Sequence, residues 1–312
     1  MGEYHRPIMT EQVVAFLKPP RDGVMVDCTV GGGGHAEAIL DAYPGVKLIG
    51  MDRDEDAVVK AKERLQRFGQ RQRIIHSDYR CLHRMLTELG VETLVGLLFD
   101  LGVSSHQLDR PERGFSYWQS GPLDMRMDVG QTTTAADILN HSQEDEIERI
   151  LRIYGEERWA RRIARFIVKA RRTKPLQSTD ELVDVVKAAI PAAARRDGPH
   201  PARRTFQALR MAVNTELDGL KKVLNEGIDW LRPGARICVL AFHSLEDRIV
   251  KQVYRERAGQ CQCPPDIPAC VCGAVRHIRV LTARPCRADA KEQEENPRSR
   301  SAKLRAAERV EN

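Results

Sequence analysis

The chain has 312 residues, 42% hydrophobic and 30% charged, enough apolar material for one large domain or two ordinary ones. Its mean hydropathy of -0.45, and the lack of any run near the roughly 18 apolar residues of a spanning helix, argue against a membrane protein. With no basic-then-apolar leader in residues 1–20, the cytoplasm is the expected compartment.

In chain order, residues 24–28, 47–51, 73–76 and 94–99 read as short apolar strands. Residues 35–42, 55–68 and 80–89 read as the helices between them. That alternation predicts an α/β fold, Rossmann-like, with a mostly parallel sheet covered on both faces. The pattern stops for about a hundred residues and resumes with a strand at 236–242, introduced by an Arg232-Pro233-Gly234 turn. Between them, residues 144–172 are helical by period, with a break at Gly155, followed by helices at 179–190 and 205–223. Residues 1–107 and 206–312 are therefore assigned to one α/β domain, and 108–205 to an inserted all-helical domain. After Arg287 the chain reads as a polar tail.

The net charge of +6 is modest, but its distribution is uneven. Residues 155–210 hold 14 Lys/Arg against 6 Asp/Glu, so the rest of the chain sums to -2. One basic segment on a mildly acidic body points to a polyanion held there, or to a solvated helical face.

The loop after the first strand is Asp27-Cys28-Thr29-Val30-Gly31-Gly32-Gly33-Gly34-His35. Glycines at the carboxyl end of a parallel strand let a ligand approach the backbone closely. The second strand ends in Asp52, 25 residues after Asp27, where a carboxylate accepts hydrogen bonds from ribose hydroxyls. This arrangement fits either a dinucleotide or S-adenosylmethionine. The last glycine of the dinucleotide fingerprint is replaced by Ala36, which that fingerprint tolerates. Asp27 decides more, because a carboxylate suits a cationic methionine end and repels a pyrophosphate.

Six separated blocks then carry a resemblance. They are Gly32-Gly33-Gly34-His35, residues 100–109 (DLGVSSHQLD), Arg113-Gly114-Phe115-Ser116, residues 122–128 (PLDMRMD), residues 241–248 (AFHSLEDR) and Asn296-Pro297-Arg298-Ser299-Arg300-Ser301. In this order they resemble the MraW-type 16S ribosomal RNA cytosine-N4 methyltransferases, also described as the ribosomal RNA small subunit methyltransferase H family. His106 stands where proline is usual, and Arg6 in a region normally more apolar. The resemblance implies a class I S-adenosylmethionine-dependent methyltransferase domain with an inserted helical substrate-recognition domain. It implies methylation of the exocyclic amine of a decoding-centre cytosine of 16S rRNA within the small (30S) subunit. The family's cofactor contacts carry over to Gly33, Gly34, His35, Asp52, Tyr79, Asp100 and Gln107; Asp27 is added from the chemistry above.

A cytosine amine is a weak nucleophile, so an acceptor for its N–H groups is expected at the carboxyl end of the fourth strand. Asp100 sits there, as cofactor ligand, amine acceptor or helix cap. Ser104 and Ser105 are weaker candidates, and Asp124 and Asp128 could face the same cleft. His243, after the strand at 236–242, could contact the base or move a proton, or could be a satisfied histidine beside Glu246 and Asp247. The target base must leave its stack. Phe115, Tyr117 and Trp118 are either its stacking partners or a small core under the loop.

Arg158, Arg161, Arg162, Arg165, Lys169, Arg171 and Arg172 lie at helical spacing, and Arg195-Arg196 and Arg203-Arg204 add two basic pairs. These are the candidate RNA contacts, positioning phosphates without reading sequence. Cys261, Cys263, Cys270 and Cys272 form a C-x-C…C-x-C pair that suits a structural zinc or a set of reduced thiols. Competing readings keep the cofactor but change the acceptor to another RNA amine or a protein side chain, or make the chain an RNA-binding ribosome-assembly factor with little turnover. A nicotinamide-dependent oxidoreductase is a distant further reading.

Overall fold

A computed structural model describes residues 7–196, 198–261, 263 and 273–311. Arg6, Cys270 and Cys272 therefore lie outside the described residues. The chain divides into two compact units, Met1–Gly102 with Leu217–Asn312, and Val103–Glu216.

The first unit is built on strands β1 (Gly23–Asp27), β2 (Val46–Asp52), β3 (Gln72–His76), β4 (Leu94–Asp100), β5 (Leu231–Ala241), β6 (Ile278–Val280) and β7 (Lys303–Arg309). They form one sheet in the order β3-β2-β1-β4-β5-β7-β6. The first five run parallel, and β7 is antiparallel to both its neighbours. The helices of this unit are α1 (Thr10–Leu17), α2 (Gly34–Ala42), α3 (Glu55–Leu65) and α4 (Leu82–Glu88). Beyond the second unit come α11 (Leu220–Trp230), α12 (Ser244–Arg257) and α13 (Ala290–Glu295).

A strand covered on both faces reads as a continuous apolar run, and β4 (LVGLLFD) is buried from Leu94 to Phe99. Successive side chains enter opposite cores. Leu97 and Phe99 join Ile237, Val239, Leu82 and Leu224 on one face. Leu98 joins Met25, Leu48, Cys238 and Leu240 on the other, under α1, α2 and α3. Each such buried aliphatic side chain contributes about 1.5–3 kcal/mol. This is the mostly parallel, Rossmann-like class expected from the sequence.

The second unit is helical, with α5 (Ser105–Asp109), α6 (Ala135–His141), α7 (Glu144–Gly155), α8 (Ala160–Arg171), α9 (Thr179–Ala189) and α10 (Arg203–Asn214). Ile147, Ile150 and Leu151 of α7, and Ile163, Ala164 and Ile167 of α8, form the buried faces of these helices. Gly155 lets α10 pass close by, since a Cβ there would sit 2.7 Å from Arg204 O, and the helix ends where Glu156 takes a left-handed conformation.

Three expectations need correcting. Residues after Arg287 are not a tail, since β7 fills the sheet between β5 and β6 and buries Leu304, Ala306 and Ala307. The Arg232-Pro233-Gly234 turn is an irregularity inside β5, whose register against β4 shifts between Leu94 and Gly96. The helix read over residues 205–223 is two, separated where Thr215 and Gly219 take left-handed conformations. Among the described residues, no helix is long and apolar enough to cross a membrane.

Candidate active site

Three adjacent strands, β2, β1 and β4, each end in an aspartate: Asp52, Asp27 and Asp100. Open parallel sheets bind ligands outside the carboxyl ends of their strands where the strand order reverses. In this sheet that point lies between β1, which leads outward to β2 and β3, and β4.

The loop from β1 to α2 is tied to these carboxylates. Gly31 N donates to Asp52 Oδ2 at 2.8 Å, and Asp54 N to Asp52 Oδ1 at 2.9 Å. Thr29 N donates to Asp27 Oδ1 at 3.1 Å, while Thr29 Oγ1 accepts from Asp100 N at 2.5 Å. Gly33 caps α2 at φ 81, where a Cβ would be strained and would meet Ala61 Cα at 3.3 Å. Gly34 opens the helix and His35 follows it, 5% exposed.

His35 Nε2 lies 3.4 Å from Asp100 Oδ2. Burial would lower this imidazole, but the facing carboxylates of Asp100 and Asp27, with Glu292 beyond them, hold it above its ordinary value. Burial pushes the Asp27 carboxyl up to about 7, against the pull of His35 and the Thr29 N–H. Asp52 is pushed up to about 6 by burial, although the Asp54 and Gly31 N–H groups favour its charged form.

Asp27 Oδ2, Asp100 Oδ1 and both ring nitrogens of His35 are buried and have no hydrogen-bond partner among the described residues. Native proteins rarely leave such atoms unsatisfied, so four in one cluster mark a place for a polar ligand. Two of the four belong to carboxylates, which suits a cationic group. The residues present fit S-adenosylmethionine.

The other expected residues are distributed as follows. Tyr79, 9% exposed, follows β3 and packs edge-on against Phe99 with ring centroids 6.0 Å apart. Its neighbour Asp78 is pushed up by burial, but hydrogen bonds from Arg80 and the Arg53 charge prevail and hold it below its ordinary value. His243 caps α12, its Nδ1 accepting from Glu246 N at 3.3 Å and its Nε2 3.0 Å from Glu246 Oε1.

In the second unit, Ser104 caps α5 and Gln107 closes the reciprocal box, its Oε1 accepting from Ser104 N at 3.0 Å. Ser105 is buried in the same helix. Asp124 is paired with Arg126 at 2.7 Å, and Asp128 Oδ1 accepts from Gly130 N. Phe115 is core, whereas Trp118 is exposed.

Arg158, Arg161, Arg162, Arg165, Lys169 and Arg172 are exposed on and around α8, without a carboxylate partner among the described residues. Arg171 and Arg204 instead brace the unit, donating to Leu139 O and Glu156 O. Arg203, like Arg195 and Arg196, is exposed. Of the cysteine set, Cys261 and Cys263 are described, and Cys263 N donates to Cys261 Sγ at 3.4 Å.

Two residues join the site beyond those expected. Thr29 is signalled only by Asp27, since an aspartate commonly accepts the N–H two residues on. Glu292, which accepts from Met9 N at 2.6 Å and acts on His35, comes from a segment read as tail.

The profile of the MraW methylase family matches residues 2–310. A protein named ribosomal RNA small subunit methyltransferase H from Pelobacter propionicus is 53% identical over 311 residues, covering 99% of each chain. The protein of that name from Heliobacterium modesticaldum is 51% identical, covering 98% of this chain and 99% of its own. Among solved structures, a putative rRNA-methylase from Clostridium thermocellum overlays 96% of this chain and 95% of its own. Its TM-score is 0.43 at 11% identity.

Proposed function

The chain belongs to the MraW methylase family, and on that premise we propose that it methylates the exocyclic N4 of cytosine 1402 of 16S rRNA in the small ribosomal subunit, using S-adenosylmethionine. The observation that carries this reading is the row of Asp52, Asp27 and Asp100 on adjacent strand ends, with buried acceptor atoms left open beside His35. When bound, the cofactor supplies a methyl group on a positively charged sulfur.

Asp52 is assigned to the ribose hydroxyls: each of its oxygens already accepts one backbone N–H and keeps a second lone pair. Asp27 and the Gly33–Gly34 turn are assigned to the cationic end of the cofactor, and Tyr79, just after β3, to its adenine. Asp100 is assigned to the amine. Its Oδ1 has no partner, and His35 Nε2 lies 3.4 Å from Oδ2. Accepting a hydrogen bond from the cytosine N–H localises the nitrogen lone pair for attack. The proton released when the new N–C bond forms then has a carboxylate beside it. His243 and Ser104 carry less of the argument, because both already cap helices.

The basic α8 surface, which suits phosphates, supports RNA as the acceptor. Small subunits lacking the modification, incubated with methyl-labelled cofactor, should carry label in their RNA and none in their proteins. Label in protein would make the acceptor an amino-acid side chain.

A further inference from the structure

Trp118 is 73% exposed, the most exposed of the large hydrophobic residues among those described and the one aromatic in that group. It does not stand alone. Its ring centroid lies 4.9 Å from that of His200 and 5.4 Å from that of Tyr117. Tyr117 and His200 are stacked face to face, 4.7 Å apart and 9° from parallel. Tyr117 in turn meets Phe206 edge-on at 5.6 Å, and Phe206 is buried in α10. The array thus runs from the helical core to an exposed indole.

The loop carrying these rings is held at its far end. Thr179 N donates to Gly121 O at 2.9 Å, Gly121 N to Thr179 Oγ1 at 3.0 Å, and that hydroxyl to Gln119 O at 2.8 Å. Ser120 Oγ donates to Asp180 at 2.6 Å. A ring fixed this way loses little freedom when something stacks on it.

His200 is set as a neutral ring. Its Nδ1 accepts from Ala202 N at 3.3 Å, which requires that nitrogen to be unprotonated. Burial and the charge of Lys187 both hold the imidazole below its ordinary value. Residues 187–204 carry five Lys/Arg against one Asp, and Arg195, Arg196, Arg203 and Arg204 are exposed. Aromatic faces flanked by cations are how proteins hold unpaired nucleotides, the rings stacking bases and the cations meeting phosphates. A protein partner would be repelled by the same cations unless it were acidic, and it would have no need of a stacked, neutral imidazole.

We propose that Tyr117, Trp118 and His200 form a stacking platform for an unpaired base of the RNA acceptor. The inference rests on the assignment of RNA as substrate. The test is binding of short, unstructured oligouridylate and of an abasic ribose-phosphate oligomer of equal length. Trp118→Leu should weaken oligouridylate roughly tenfold, as loss of one stacked base does. Trp118→Phe should restore most of that loss, and the abasic oligomer should bind all three proteins alike. Affinity for S-adenosylmethionine should be the same throughout, which shows the variants to be folded.

Equal oligouridylate affinity in wild type and Trp118→Leu would overturn the platform, as would an equal loss for the abasic oligomer. If wild type methylates RNA while the variant binds it undiminished, the platform falls and the substrate assignment stands. If wild type binds no RNA, both fall. Weaker binding of whole subunits with unchanged oligouridylate affinity would assign the surface to a protein instead.

Discussion

Thr29 Oγ1 accepts the backbone N–H of Asp100 at 2.5 Å, joining the loop after β1 to the end of β4. The same residue donates its own N–H to Asp27. Thr29→Val keeps the shape but leaves the Asp100 amide without its partner. The expected cost is about 1–3 kcal/mol of stability, read from urea unfolding, with methyl transfer falling further because Asp100 loses its anchor. A variant with unaltered stability and turnover would mean that Thr29 does not position Asp100.

Binding of S-adenosylmethionine should strengthen with pH. Asp27 and Asp52, pushed up to about 7 and about 6 by burial, are largely protonated in mildly acid solution, and a cationic ligand selects their ionised forms. Affinity should climb between about pH 5.5 and 7.5, with protons released on binding, and Asp27→Asn should flatten the upper part of that rise. Calorimetry in buffers of different ionisation enthalpy counts the protons. The ligand-free protein should behave oppositely. Stability that depends on these two groups being neutral is complete below their unfolded values near 3.8, and is lost as pH rises through about 6 and 7.

Asp52→Ala removes the proposed ribose acceptor and the tether of Gly31 together. The expected loss of cofactor affinity is roughly ten- to a hundredfold, and Asp52→Asn, which keeps one acceptor oxygen, should lose less. Unchanged binding in the alanine variant would take Asp52 out of the site.

Arg161 and Arg165 project from the exposed side of α8, opposite Ile163 and Ile167. Replacing both with alanine should weaken RNA binding and flatten its salt dependence by roughly 0.7 per lost phosphate contact. An identical slope on a log–log plot would mean that this surface faces away from the RNA.

Asn214, fully buried, donates to Met125 O and Arg210 O and accepts from Met127 N. It thereby fixes the segment in which Met125 takes φ 61. Asn214→Ala strands two buried backbone groups of that segment, and about 2–4 kcal/mol of stability should be lost. A melting temperature equal to wild type would show the segment to be held by other means, such as the Arg113 bonds to Arg126 O and Met127 O.

The first five strands were legible because burial on both faces demands apolar runs, as in residues 94–99. β7 was not, because Lys303, Arg305 and Glu308 give it a polar look. Asp247 pairs with the first two and Arg236 with the third, which lets a charged strand enter the sheet. Asp27 and Asp52 were legible from their distance to the glycine loop. The environment that raises their carboxyls was not, since it comes chiefly from burial, which only the folded chain shows. The capping role of His243 was equally hidden, for histidine is not among the usual helix-starting residues.

The most direct measurement is nucleoside analysis of small-subunit RNA after incubation with methyl-labelled S-adenosylmethionine. Subunits lacking the modification should be compared with the naked RNA, using wild-type protein and Asp100→Asn. All label should elute as N4-methylcytidine, and the Asp100→Asn protein should transfer little while still binding cofactor. Label in another nucleoside, or none despite bound cofactor, would contradict the assignment of the amine to Asp100 and of cytosine to this site.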